Sequence, residues 1–186
     1  MELMEAIKAR RSVRAYKPDQ VEREKIEKIL QAAVMAPTGM NDQPWAFGVI
    51  QDTALLADYD ERVKKFMLDG IEEMPWIKQY EEYFRNPDYH VFYQAPTLVV
   101  IYAKNASPVA QIDCSLAAEN LMLAAYDLGL GTCWMGFAQM LLNTPELKKE
   151  MGILEEYQVA APIIVGYPAS ETPAREKYPP EVVFWK

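Results

Sequence analysis

Pro96-Thr97-Leu98-Val99-Val100-Ile101-Tyr102 is β-branched at Thr97, Val99, Val100 and Ile101 and apolar almost throughout. A strand with one wet face alternates apolar and polar residues, whereas a continuous apolar run needs cover on both faces, so this stretch predicts a central buried strand. Just beyond it, Ser107-Pro108 supplies an N-cap and a proline suited to the first helical position, and Gly129 supplies a stop. The helix predicted over 107–128 is apolar on nearly every side. Such a helix must be buried, and in a chain of 186 residues the readiest cover is another subunit.

Working outward, residues 2–10 predict a short amphipathic helix with Leu3, Met4 and Ile7 on one side. A second helix should begin near Asp19, capped by its carboxylate with Glu22 three residues on. Ile26, Ile29, Leu30, Ala33 and Val34 follow at helical spacing until Pro37. Residues 46–50 read as a first strand, 53–68 as a helix, 131–136 as a strand, 144–151 as a short helix opened by Thr144-Pro145, and 159–165 as a further apolar strand. Residues 70–93 carry Trp76, Tyr80, Tyr83, Phe84, Tyr89, Phe92 and Tyr93 without clean periodicity, which suggests a lid-like excursion. The stretch 167–186 reads as an extended arm ending in Val182-Val183-Phe184-Trp185, an apolar end expected to dock on some surface, a partner subunit among the candidates. No linker or repeat divides the chain, so residues 1–186 are expected to form one domain.

Composition narrows the function classes. Hydrophobic residues make up 51% and charged ones 25%, which excludes the disordered class. A net charge of -8 and a sequence pI near 4.8 oppose binding to nucleic acid or an anionic membrane. Polar interruptions at Asp113, Glu119, Asn120 and Asp127 keep the longest apolar stretch from reaching membrane-spanning length. Two cysteines and an acidic amino terminus point to a reducing cytoplasm. His90, the single histidine, is too little for a histidine-based zinc site, and no motif sets it beside Cys133 to make a catalytic thiol.

Against that acidic background, Arg10-Arg11-Ser12-Val13-Arg14 gathers three guanidinium groups and a hydroxyl, a set suited to a phosphate. Pro37-Thr38-Gly39-Met40-Asn41-Asp42-Gln43-Pro44 concentrates turn formers and amide side chains suited to the polar edge of a flat heterocycle. Gly131-Thr132-Cys133-Trp134-Met135-Gly136 is a strand flanked by glycines, against which a ring can lie close. Arg175 and Lys177 add positive charge on an arm able to return to the same anion. Singly, each has a plainer reading as a solvated charge cluster, a turn or a strand-end bulge.

Together these segments resemble the nitroreductase family of flavin mononucleotide (FMN) enzymes in its short form. The likeness runs through the basic motif as far as Tyr16, then Ala36 to Trp45, Asp113 with Glu119-Asn120-Leu121, Gly129 to Gly136, and Pro162-Ile163-Ile164-Val165-Gly166-Tyr167-Pro168. The resemblance implies an α+β fold with a mostly antiparallel central sheet flanked by helices, in an arm-exchanged homodimer with two flavins at its interface. By motif position, Arg10, Ser12 and Arg14 would hold the phosphate and ribityl end, Arg11 chiefly through its backbone, and Arg175 and Lys177 would close from the arm. Pro37, Thr38, Gly39 and Asn41 would come from the other subunit, with Gln43 a weaker contact. Cys133, Trp134, Met135 and Gly136 would line the ring, a backbone donor of Met135 or Gly136 lying near its N5 and O4 edge, and residues 66–93 would cover the open side.

The implied activity is ping-pong transfer of reducing equivalents from NADH or NADPH to a small acceptor such as a nitroaromatic or quinone. The flavin does the chemistry, so no catalytic side chain and no metal are expected. Two alternatives remain at this stage. One is a flavin storage or sensing protein. The other is a reductive dehalogenase of the same family; those enzymes grip an amino acid through a lid Glu-x-x-x-Tyr, and that spacing is missing from 70–93.

Overall fold

The computed structural model describes residues 2–186. Its four-stranded sheet is antiparallel throughout, in the order β1 (Trp45–Ile50), β2 (Thr97–Ala103), β4 (Gln158–Gly166), β3 (Gly131–Trp134). β2 is central and every residue of it is buried. The reason is cover on both sides. Leu98, Val100 and Tyr102 join one core with α3 (Thr53–Asp69), α4 (Glu81–Arg85), α6 (Gly136–Leu142) and α7 (Pro145–Glu150). The alternate residues Val99, Ile101 and Ala103 join the other, packed by α2 (Arg23–Ala33) and α5 (Pro108–Asp127). On β4 a bulge leaves Ala160 without a partner between the pairs Ile101–Ala161 and Tyr102–Val159. The extra residue shifts the parity of the strand, so Val159 and Ile164 reach the same core.

Several helix starts follow the cap chemistry. Asp52 accepts hydrogen bonds from the amides of Ala54 (2.9 Å) and Leu55 (3.1 Å). Ser107 caps α5 ahead of Pro108, and Thr144 caps α7 ahead of Pro145. The second helix departs from expectation. It starts at Arg23 rather than near Asp19, and Glu22 occupies the cap position without a side-chain cap bond. The Glu22 carboxylate is engaged elsewhere, accepting from the Tyr167 hydroxyl, which in turn accepts from Lys25 Nζ at 2.6 Å. The strand expected over 131–136 ends at Trp134, and Gly136 opens α6, a helix the glycine-bounded pattern concealed.

Residues 66–69 belong to α3. Beyond them, a single 3-10 turn at Lys78–Tyr80 leads into α4, and Ile77, Phe84, Val91 and Phe92 are buried in the core beside α3. The aromatics interlock edge to face, with Phe137 of α6 lying 5.1 Å from both Tyr80 and Phe84. Trp76 and Tyr83 stay exposed. α5 buries Ala110, Cys114, Ala117, Ala118, Leu121 and Ala125 within the chain, yet Val109, Ile112 and Leu116 on its outer side remain 54%, 59% and 42% exposed. From 171 the arm has no regular structure, and Tyr178, Val183, Phe184 and Trp185 stand largely in solvent. No helix among the described residues is long and apolar enough to cross a membrane.

Candidate functional site

The basic segment is placed by β3. Val13 donates its amide to the Thr132 carbonyl at 2.9 Å, and Ser12 forms a parallel bridge with Thr132. Further along, Lys17 donates to Tyr167 (2.8 Å) and Ala169 to Ala15 (2.9 Å), so residues 12–17 lie beside β3 and the root of the arm. The approach is close because position 131 lacks a side chain. A Cβ on Gly131 would meet Val13 Cβ at 2.8 Å and its methyl groups at 2.7 and 2.9 Å. Gly131→Ala should therefore push residues 12–14 off β3. Overpacking of this kind costs about 1–3 kcal/mol, which thermal unfolding of the variant would measure. A melting temperature equal to that of the parent would show that the contact is not tight.

This strip and the returning arm enclose a cleft of about 330 Å³ lined by Arg10, Arg11, Ser12, Arg14, Thr172, Pro173, Arg175 and Lys177. Five cationic side chains thus meet in a protein of net charge -8. Mutual repulsion makes such a cluster costly unless an anion answers it. Glu119 on α5 answers only in part. It lies 3.4 Å from Arg10 Nε without hydrogen-bond alignment, so Nε of Arg10 is buried without a hydrogen-bond partner, as is Nε of Arg11. Five convergent cations in one cleft fit an oxyanion with several lone pairs, as a phosphate has. The Arg11 head also turns back, donating to the carbonyls of Lys8 (2.7 Å) and Arg10 (2.8 Å).

Cys133, Trp134, Met135 and Gly136 follow Thr132 in the chain, and none of the four lines this cleft. Cys133 is buried, and burial raises its thiol pKa despite the opposing pull of Arg14 and a hydrogen bond with Ser12, so the sulfur stays protonated near neutrality. The Met135 amide donates to the Pro162 carbonyl at 2.8 Å, which commits it to the sheet. Of the two backbone donors named for the ring edge, Gly136 is the one left by this geometry. Beyond its chain neighbours and the backbone of its own helix, no heavy atom would lie within 4 Å of a Cβ built there.

Thr38, Gly39, Asn41 and Gln43 do not line the cleft of their own chain. They form a tight loop in which the Gln43 amide donates to Thr38 Oγ1 (3.3 Å), Gln43 Nε2 donates to Asn41 Oδ1 (3.2 Å), and Asp113 Oδ2 accepts from the Gly39 amide (3.3 Å). Pro37 leads into this loop and is exposed. The Glu119-Asn120 pair also has a physical role: Glu119 faces Arg10, and Asn120 Nδ2 donates to the Ala32 carbonyl (3.3 Å), tying α5 to the end of α2. Thr172 and Pro173 entered the cleft without a sequence signal, since neither type marks an anion site.

A sequence profile of the nitroreductase family matches residues 7–167. The chain belongs to the nitroreductase family. The match includes the basic motif, the 36–45 loop and the 129–136 segment but stops before Arg175 and Lys177, whose place beside Arg10 and Arg14 is a finding of the geometry. An Archaeoglobus fulgidus relative, named as an NADH dehydrogenase/NAD(P)H nitroreductase, is 31% identical over 91% of this chain and 87% of its own. A Thermotoga neapolitana iodotyrosine deiodinase is 27% identical over 95% of this chain and 92% of its own. Among solved structures, a nitroreductase with bound FMN from Bacteroides fragilis superimposes with a TM-score of 0.82 at 32% identity, covering 99% of this chain and 97% of that one. The α+β nitroreductase fold with a mostly antiparallel sheet is thereby established.

Proposed function

We propose that this chain is an FMN-dependent oxidoreductase that passes reducing equivalents from NADH or NADPH to a small acceptor, a nitroaromatic, a quinone or a similar flat molecule, and that it works as a cytoplasmic homodimer. The observation that carries the reading is the cleft in which five cations converge beside the glycine-flanked segment 131–136. FMN, when bound, would supply the redox chemistry that links the nicotinamide donor to the acceptor. The chain's residues bind and orient it. Arg10, Ser12, Arg175 and Lys177 hold the phosphate, with Arg11 behind them, and Arg14 spans from the phosphate end toward the ring. Cys133, Trp134 and Met135 would lie along the flavin ring, and the Gly136 amide would be the backbone donor for the ring's polar edge.

The second copy of the chain completes the pocket with Pro37, Thr38, Gly39, Asn41 and Gln43, which the fold keeps away from their own cleft. Exposed apolar residues Val109, Ile112 and Leu116 on α5, with Leu3, Met4 and Ile7 on α1 (Leu3–Ala9), support a face for that copy. The aromatic residues Trp76, Tyr80 and Tyr83 of the 66–93 segment suit stacking on a flat acceptor.

The test is direct. Flavin-loaded protein mixed anaerobically with NADH or NADPH should bleach, and a nitroaromatic or quinone should restore the yellow colour. Flavin that stays oxidised with both donors would identify a storage or sensing protein instead.

A further inference from the structure

Non-glycine residues with left-handed backbone fall in just two loops among the described residues: Met40, Asn41 and Gln43 in one, Tyr93 and Gln94 in the other. Such conformations are strained and persist only where surrounding contacts hold them. Each loop is fastened by a buried aspartate on a long helix. Asp113 of α5 holds the Gly39 amide, and Asp60 of α3 accepts from the Phe92 amide at 2.8 Å. Lys64, one helical turn on from Asp60 and also buried, donates to the Tyr89 carbonyl at 3.1 Å. The first loop is accounted for by the partner's pocket. The second has no assigned role.

What the second loop delivers is an aromatic ring. Tyr93, turned by its positive φ, sets its ring 5.9 Å from the Arg14 guanidinium, and Tyr89 supports it edge-on at 6.1 Å and 89°. Arg14 has little else to fix it. Among the described residues it makes no ion pair, and its one side-chain hydrogen bond there is a 3.3 Å contact from Nη1 to the Ser12 carbonyl. A long arginine side chain so held samples many rotamers, and a ring face opposing the cation narrows that choice.

We infer that Tyr93 is a positioning residue for the flavin site, its ring holding Arg14 in the orientation that meets FMN. This rests on the flavin reading above. Its action runs through Arg14, and the strained turn held by Asp60 and Lys64 is what sets the ring in place. A tyrosine needed only to fill the core would have no reason to face a cation at the rim of the cleft.

The experiment is FMN titration of apoprotein, followed by flavin fluorescence, for the parent chain, Tyr93→Leu, Tyr93→Phe, Arg14→Ala and the Arg14→Ala/Tyr93→Leu double variant. Tyr93→Leu should weaken binding about 3- to 30-fold, the range of a cation–π contact. Tyr93→Phe keeps the ring and should stay within about twofold of the parent. The double variant should bind no more weakly than Arg14→Ala alone, because the tyrosine acts through the arginine. Parent-like binding by Tyr93→Leu, failure of Tyr93→Phe to retain affinity, or losses that add in the double variant would each overturn the inference. Tyr93→Met replaces the leucine variant if circular dichroism shows that the latter does not fold. If the parent apoprotein itself does not bind FMN, the flavin reading falls and this inference with it.

Discussion

Arg14→Ala should cut the affinity of apoprotein for FMN by about ten- to a hundredfold. Arg14 lines the cationic cleft, and its charge also opposes the rise that burial imposes on the Cys133 thiol pKa, so it reaches that residue electrostatically. A charge-assisted hydrogen bond is worth roughly 1.5–3 kcal/mol, and each 1.4 kcal/mol is tenfold in binding. Of the three arginines in the basic motif, Arg14 has least to lose structurally. Arg10 faces Glu119 and Arg11 bonds two backbone carbonyls, so removing either disturbs the fold as well as the cleft. Arg14→Ala should accordingly melt like the parent in the absence of FMN while binding it poorly. Unchanged affinity would remove Arg14 from the site.

The second large effect concerns the outer face of α5. Ile112→Glu combined with Leu116→Glu places two charges one turn apart on a surface exposed in the single chain, where water solvates them at little cost. At a subunit interface the same charges lie buried without partners, and an uncompensated buried charge costs about 3–5 kcal/mol. The parent should sediment as a dimer and the variant as a folded monomer. If the loop from Pro37 to Gln43 completes the neighbouring pocket, the monomer should also lose FMN. A variant that remains dimeric rejects this face as the interface. A monomer that keeps FMN rejects the shared pocket.

The fold was legible where one physical constraint determined the local pattern. The unbroken apolar run of β2 reports cover on two faces, and the Ser107-Pro108 and Thr144-Pro145 starts report cap geometry directly. Legibility failed where tertiary partners reassigned a side chain. Nothing local to Glu22 reveals that Tyr167, far along the chain, takes its carboxylate, and nothing in Met135-Gly136 distinguishes a strand that continues from one that turns into α6. The site behaved alike. Its cations could be named from a five-residue motif and two arm residues, because clustered charge is visible in sequence. Tyr93 was hidden among a run of aromatics, since its relevance lies in a backbone angle and a distance to Arg14, neither of which composition records.

The cleft shared by residues 10–14 and residues 172–177 also orders events during synthesis. Nearly all of the sheet and every helix after α1 lie between these two segments. A chain emerging from the ribosome folds its earlier parts first, at roughly 5–20 residues per second. The basic motif is thus exposed early and stays without its second wall until the arm has cleared the exit tunnel. If residues 172–177 close on the flavin phosphate as proposed, cofactor capture waits until that stretch has been made, so nascent chains stalled before residue 172 should emerge with the sheet formed and no grip on the phosphate.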